Sequence, residues 1–252
     1  MLTRQAAFGG TAKMLKGALH CHTTRSDGKG DPADVMRLHA ENGYDFMAIT
    51  DHRRYNRETF APETGITIIP GMEYDNTIEK GKGFRCFHTV CIGPADESNG
   101  FEHEQRFESG KATNQEEYQP YLDWLHENGQ MTIYCHPEWS STPARYFEKQ
   151  QGNFAMEIWN SGCAIEDHMD MNAAYWDELL GQGIRIFGVA TDDGLHVSAL
   201  QRLGHGQQRE QYRRDPGGTE GRRLLFLLRP CHQGLLCGGR HRSRGVQRGQ
   251  LH

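Results

Sequence analysis

Short apolar segments separated by polar turns recur between residues 16 and 194, and most of them end in a histidine or a carboxylate. The apolar segments predict strands at residues 16–22, 45–50, 66–69, 84–92, 131–135, 154–159 and 184–190. Helical spacing between them predicts helices at residues 31–42, 115–128 and 164–180. Because strands that alternate with helices are typical of α/β proteins, the pattern predicts a parallel sheet, as in a β/α barrel.

Helix boundaries are marked by residues with known positional preferences. Asp31 is a candidate N-cap, Pro32 suits the first helical position, and Gly43 suits the end of the same helix. The periodicity of the third helix predicts a core side that consists of Met169, Ala173, Trp176 and Leu180.

Length and composition favour a single enzyme-sized domain. A chain of 252 residues with 36% hydrophobic content can bury a sizeable core. The formal charge of −5 gives no overall basic surface for nucleic acid. No segment approaches the roughly 18 apolar residues of a membrane span, and the N-terminus lacks the apolar core of a signal peptide. We therefore expect a cytoplasmic protein that does not associate with membranes.

The cysteines do not indicate a disulfide framework or a thiolate zinc site. There are seven, an odd number, and no Cys-x-x-Cys pair occurs. Cys21 lies between His20 and His22, so alternation along a strand directs its side chain to the opposite face.

Metal-ligating residue types stand at or near the ends of the predicted strands, in order along the chain. His20 and His22 are two apart and share a strand face, so both imidazoles can reach one ion. Further candidates are Asp27 in the turn after the first strand and His88 within the fourth strand. Later strand ends add His52, Glu73, His136 and the Asp192–Asp193 pair. Imidazoles and carboxylates suit zinc, manganese or iron, and a glutamate can bridge two ions through its two oxygens.

Six ordered motifs resemble the PHP family, the polymerase and histidinol phosphatase superfamily of metal-dependent phosphoesterases. They are LHCHTTRSDG, ITDH, PGMEY, FHTVCIG, YCHPEW and ATDDG, and together they cover about residues 16–196. The resemblance implies a distorted seven-stranded β/α barrel that holds two or three divalent metal ions (Zn, Mn or Fe).

The resemblance also implies a division of the ligands among three metal sites. The first site comprises His20, His22, Glu73 and Asp193. Glu73 would bridge to a second ion held by His88 and His136. The third site would use Asp27, His52 and His196, although the family pattern Asp-x-His places the last histidine one position earlier than it stands here.

The reaction implied is hydrolysis of a phosphate ester, either a small-molecule phosphomonoester or a nucleotide. Adjacent cations activate water and clamp phosphate oxygens. Metal-activated hydroxide would therefore attack without a covalent intermediate and without catalytic side chains beyond the metal ligands. Loop arginines that could meet a phosphate are Arg25, Arg53, Arg54 and Arg145.

Two other functions remain open from the sequence. One is an exonuclease-type phosphodiesterase that trims RNA or DNA ends, with nucleic acid only as substrate; the missing basic groove counts against it. The other is a degenerate, non-catalytic metal-binding module.

Residues beside the ligands are expected to have supporting or ordinary roles. Asp51 is expected to cap or orient, and Asp192 to orient a ligand histidine. The histidines that match no motif are expected to be surface or packing residues, namely His39, His103, His126 and His168.

The composition changes abruptly after about residue 200. Positions 201–252 contain no isoleucine, methionine, alanine or lysine, yet they hold 11 of the 21 arginines. A basic nucleic-acid-binding tail is one interpretation. We favour a frameshift, because reading one base later permits a strand-like start and an amphipathic helix. The sequence then divides into a lead-in (1–15), a PHP barrel (16–197) and a poorly ordered tail (198–252), with the last βα unit missing or scrambled.

The frameshift hypothesis is tested by the coding DNA across residues 190–252. We expect a one-base displacement from a frame that encodes the missing βα unit. An intact frame, with no close relative carrying the alternative tail, would contradict it.

Overall fold

The computed structural model describes residues 14–79, 85–194, 209–213 and 227–229, and its strands form three sheets. The first is parallel and consists of β2 (Gly17–Ala18), β3 (Phe46–Met47) and β4 (Thr67–Ile68). The second contains, in spatial order, β5 (Gly71–Glu79), β6 (Arg85–Ile92), β7 (Met131–Tyr134), β8 (Asn153–Asn160) and β9 (Phe187–Thr191). The third is antiparallel and joins β1 (Met14–Leu15), β10 (Arg209–Arg213) and β11 (Leu227–Arg229).

The α-helices of the described residues are α1 (Pro32–Glu41), α2 (Gln115–Glu127), α3 (Ser161–Glu166) and α4 (Asn172–Gly181). Two short 3₁₀ helices span Pro62–Thr64 and Ala144–Tyr146. At the start of α1, the Asp31 carboxylate accepts a hydrogen bond from the Ala33 N–H at 2.9 Å. Gly43 follows the helix with φ of +75°, a conformation that glycine adopts without strain. Both predicted boundaries of this helix are confirmed.

The five-stranded sheet is mixed, so the prediction of a parallel sheet holds only in part. Strands β7, β8 and β9 are parallel, whereas β6 runs antiparallel to both of its neighbours, β5 and β7. The sequence analysis did not identify β5. Apolar and polar residues alternate along β5: Met72 and Tyr74 belong to the core, whereas Glu73 and Asp75 are polar. The polar residues interrupt the apolar segment on which the strand prediction relied.

A closed seven-stranded barrel is not present among the described residues. Isolated backbone bridges rather than a ladder link the segments after β2 and β3 to the five-stranded sheet, between Cys21 and Gly194 and between His52 and Glu73. Continuous ladders do not form there because β2 and β3 contain only two residues each. The architecture is a mixed α/β fold in which single bridges link two sheets.

The helix predicted at residues 164–180 is wrong, because the structure has two helices there. His168 lies between α3 and α4 with φ of +59°, which a continuous right-handed helix excludes. The predicted core side is wrong at Ala173 and Leu180, which are exposed, whereas Trp176 is partly buried against the core. Leu179 is buried instead.

One hydrophobic cluster fills the space between the two linked sheets. Its buried members are Leu19, Phe46, Ala48, Val90, Ile92, Ile133, Cys135, Ala155 and Val189. His20 follows Leu19 and His136 follows Cys135 along the chain, so both histidines stand where this cluster ends. A larger cluster packs α2 and α4 against the five-stranded sheet. Buried apolar residues therefore immediately precede two of the predicted ligands along the chain.

The predictions for the C-terminal tail and for His196 fall almost entirely outside the described residues. In that region the structure describes only β10 and β11, which pair with each other, and β10 also pairs with β1. The frameshift hypothesis stays a prediction. Within the described part of the chain, no helix has the length and apolarity to cross a membrane.

The cap of α1 can be tested by substitution. We expect Asp31→Ala to lower the free energy of unfolding by about 1 kcal/mol, because the Ala33 N–H loses its acceptor. Chemical denaturation measures the change. The matched control is Asp31→Asn, which keeps an acceptor oxygen and should stay close to the wild-type value; an equal loss in both variants would contradict the capping role.

Candidate metal centre

The predicted ligands converge on one end of the two linked sheets. Glu73 and His88 project from β5 and β6, whereas His136 and Asp193 follow β7 and β9. The buried ligands are His20, His22, Glu73, His88 and His136. Asp27 is the most open of the set, with a side chain that is 51% exposed.

Four ligand atoms form a compact group, called here the first metal group: His20 Nε2, His22 Nε2, Glu73 Oε2 and Asp193 Oδ1. The two histidine nitrogens are 3.1 Å apart. Each lies close to both carboxylates, at 3.4 and 3.2 Å for His20 and at 3.1 and 3.1 Å for His22. Ligand atoms at about 2.0 Å from a tetrahedral zinc ion are separated by about 3.3 Å. The spacing of the first metal group therefore fits a single divalent cation.

The other oxygen of Glu73 faces a second pair of histidines. Glu73 Oε1 lies 2.9 Å from His88 Nδ1 and 3.2 Å from His136 Nε2. These three atoms are called the second metal group. Because each group uses a different oxygen of Glu73, one carboxylate can bridge two ions.

The residues expected at a third ion lie next to these groups but are more widely spaced. Asp27 Oδ2 is 3.6 Å from His52 Nε2, and Asp27 Oδ1 is 3.4 Å from His22 Nδ1. The remaining expected ligand, His196, lies outside the described residues. Within the described chain, the third position therefore has two ligand side chains of its own.

The Glu73 carboxylate provides a direct test of whether a cation fits. Its Oε2 atom is buried and accepts no hydrogen bond from the described residues. Three ring nitrogens surround it, from His20 and His22 and from His52 Nδ1 at 3.1 Å. A buried carboxylate oxygen without a hydrogen bond is costly, whereas a metal ion among these atoms would satisfy it. The residues present fit a divalent cation.

The pKa values of the ligand side chains also indicate a site for a cation. Burial opposes the charge on each group, yet the carboxylates of Asp193 and Glu73 outweigh it and raise the pKa of His22 to about 9. The same carboxylates raise the pKa of His20. In turn, His52 and His20 hold the pKa of Glu73 well below its usual range despite burial. The centre is thus a buried location where positive charge is stabilised.

Comparison with known proteins identifies the fold. No protein-family model and no curated protein matches the chain. Among solved structures, a two-domain protein from Bacteroides vulgatus that contains a predicted PHP-like metal-dependent phosphoesterase matches with a TM-score of 0.50 and 16% identity. The match covers 84% of this chain, which spans 64% of the length of that protein. This chain has the PHP-like fold. The predicted resemblance is therefore confirmed at the level of the fold.

Two further solved structures are similar at lower scores. A candidate metal-dependent phosphoesterase from Bifidobacterium adolescentis has 13% identity and a TM-score of 0.44, over 73% of this chain and 89% of that one. An amidohydrolase from Chromobacterium violaceum, solved with bound sulfate and no metal, has 15% identity and a TM-score of 0.47. That match covers 72% of this chain and 88% of the other.

Two carboxylates that lie beside histidines of this centre were missed by the sequence analysis. Glu157 Oε1 lies 2.7 Å from His20 Nδ1, on the side of the ring opposite the first metal group. Asp75 Oδ2 lies 3.2 Å from His52 Nδ1. A carboxylate that accepts from the second ring nitrogen, as Glu157 does at His20, commonly orients a metal-ligating histidine. The available signals were a glutamate inside the apolar strand FAMEIW and an aspartate two residues after Glu73.

The two aspartates expected to assist the ligands have different roles. Asp51 accepts hydrogen bonds from the Thr23 N–H at 2.8 Å and from the Ser26 hydroxyl at 2.7 Å, so it shapes the loop that carries Asp27. Asp192 accepts a hydrogen bond from the Tyr44 hydroxyl at 2.9 Å.

The histidine nearest to Asp192 is His39, whose Nε2 is 3.7 Å from Asp192 Oδ2. His39 is not a ligand of the centre. The described contacts give no support to the expectation that Asp192 orients a ligand histidine, which stays a prediction.

The four loop arginines that could meet a phosphate all contact groups of the protein. Arg25 and Arg54 both pair with Glu104. Arg53 lies 3.2 Å from Asp75 Oδ1, and Arg145 lies over the Tyr146 ring at 4.9 Å. A role in phosphate binding stays a prediction for all four.

The shared carboxylate predicts how metal content depends on single residues. We expect Glu73→Gln to remove both ions and His88→Ala to remove only the second, because Glu73 belongs to both groups. Elemental analysis after dialysis against Mn²⁺ or Zn²⁺ measures ions per chain. His126→Ala is the matched control, since His126 pairs with Thr132 away from the centre. Equal metal content in Glu73→Gln and the control would contradict the shared site.

Proposed function

We propose that the protein hydrolyses a phosphate ester of a small molecule with the help of two or three divalent ions. The observation that carries the proposal is the position of Glu73 between the two metal groups, with one oxygen facing each. Bridged pairs of ions about 3.5–4 Å apart are typical of phosphoryl-transfer enzymes. The PHP-like fold and the six ordered motifs support a phosphate ester as the substrate.

When bound, adjacent divalent ions lower the pKa of a water molecule and stabilise the charge that develops on the phosphate oxygens. The protein contributes the positions of the ligands. In the first metal group, each histidine nitrogen lies within 3.4 Å of the three other ligand atoms. Glu73 belongs to the second metal group as well, so the two groups are adjacent. This preorganisation lets the transition state form without rearranging the centre.

Trp139 forms one wall of the second metal group. Its indole ring lies 5.6 Å from the His88 ring and 5.1 Å from the His136 ring, measured between centroids. The apolar surface limits access of water to these histidines on that side, which strengthens electrostatic interactions inside the centre. Asp27 and His52 are the more exposed side chains of the centre, and we infer that substrate approaches there.

The proposal is tested by phosphate release from p-nitrophenyl phosphate and from nucleotides in the presence of Mn²⁺. We expect the wild-type protein to turn over at least one of them and chelation to abolish turnover. Glu73→Gln should lower kcat/KM by more than about 100-fold, the upper end of the loss for outer partners of metal ligands. His126→Ala is again the control and should retain activity.

Short oligonucleotides serve as the competing substrate. Turnover of oligonucleotides alone would favour an exonuclease-type activity over the proposed one. If protein from a verified full-length gene binds metal but hydrolyses none of these substrates, the enzyme proposal fails and a non-catalytic metal-binding module is favoured.

A further inference from the structure

Glu157 lies in the middle of β8, is fully buried, and belongs to neither metal group. Four groups surround its carboxylate at hydrogen-bonding distance. Oε1 lies 2.7 Å from His20 Nδ1 and 2.6 Å from the Thr191 hydroxyl. Oε2 lies 2.9 Å from the His136 backbone nitrogen and 2.9 Å from Asn160 Nδ2.

Only a carboxylate can accept from all four neighbours. The backbone N–H of His136 is a donor without alternative. Asn160 must also present its NH₂ group, because its Oδ1 already accepts from the Cys163 N–H at 3.0 Å. An ionised glutamate offers about four acceptor positions and no donor, which matches these neighbours. A glutamine at this position would direct its own NH₂ group at two of the donors.

The first metal group depends on this arrangement through two of its ligands. Because Glu157 accepts at His20 Nδ1, the ring carries its proton there and leaves Nε2 free to face Glu73 and Asp193. Asn160 Nδ2 also donates to Asp193 Oδ2 at 2.8 Å, which turns Oδ1 of the same carboxylate toward the histidines.

The second metal group depends on Glu157 through the backbone of His136. His136 has φ of +24°, a region that side-chain-bearing residues rarely adopt. The hydrogen bond from its N–H to Glu157 holds this strained turn and points Nε2 at Glu73 Oε1. Asp193 has φ of +45° and is held by Asn160 in the same network. Both strained ligands are therefore held by groups that meet at Glu157.

We propose that Glu157 is a positioning residue that ties the two metal groups together, so that its carboxylate supports binding of both ions at once. The inference rests on the metal centre of the proposed function but does not require the identity of the substrate. It distinguishes Glu157 from His88, which serves the second group alone.

The experiment measures the affinity for each Mn²⁺ ion by calorimetric titration of the metal-free, full-length protein. We expect Glu157→Gln to weaken both binding steps by about 10–100-fold each, and His88→Ala to weaken only one. Tyr118→Phe is the control, because it removes a different buried hydrogen bond, from Tyr118 to Thr89. It should lower stability without changing either affinity. The visible absorption of bound Co²⁺ should change in Glu157→Gln, because the loss of the carboxylate alters the orientation of His20 and His136. It should not change in Tyr118→Phe.

A second variant keeps the test decisive if Glu157→Gln does not fold. Asn160→Ser keeps an oxygen that can cap α3 but removes the amide that donates to both Glu157 and Asp193. We expect this variant to have a lower affinity for the ion of the first metal group. Wild-type affinities in Glu157→Gln, or in Asn160→Ser if only that variant folds, would overturn the inference and leave the proposed function standing. Failure of the wild-type protein to bind any ion would overturn the proposed function instead.

Discussion

The carboxylate shared by the two metal groups is the interaction on which the centre depends. Glu73 is buried, and its two oxygens together lie within 3.4 Å of five histidine nitrogens. An ionised carboxylate at such a position costs several kcal/mol unless positive charge surrounds it. The surrounding histidines lower the pKa of Glu73 but leave its Oε2 atom without a hydrogen bond. Divalent ions held between Glu73 and these histidines would resolve this conflict.

The fold places Glu73 among these histidines by bringing strands that are distant in sequence together. Glu73 is held in β5 by continuous pairing with β6, and a single bridge joins it to His52. His136 and Asp193 follow β7 and β9 in left-handed backbone conformations. Such conformations cost of order 1–3 kcal/mol each and persist where surrounding contacts enforce them. Here the enforcing contacts converge on Glu157.

Most of the candidate ligands were predictable from the sequence because they stand within a predicted strand or close to its end. The spacing of two between His20 and His22 predicted that both reach one ion, and the ordered motifs added Glu73, His88 and His136 to the same centre. The PHP-like fold followed from the same motifs. These signals are local, so they are readable without knowing how the strands pair.

The supporting residues were not predictable, because their partners are distant in sequence. Glu157 and His20 are 137 residues apart, and nothing near Glu157 in the sequence indicates that contact. Strand β5 was missed for a related reason, since the polar residues that serve the centre interrupt its apolar pattern. The break between α3 and α4 depends on one left-handed residue, His168, which helical periodicity does not reveal. Contacts and backbone strain, rather than composition, determine these features.

The most direct test of the shared carboxylate is anomalous X-ray diffraction from crystals of the protein loaded with Mn²⁺. Two bridged ions predict two anomalous peaks about 3.5–4 Å apart, one beside each oxygen of Glu73. One of these peaks should lie among His20, His22 and Asp193, and the other between His88 and His136. A single peak, or two peaks that do not share Glu73, would contradict the account.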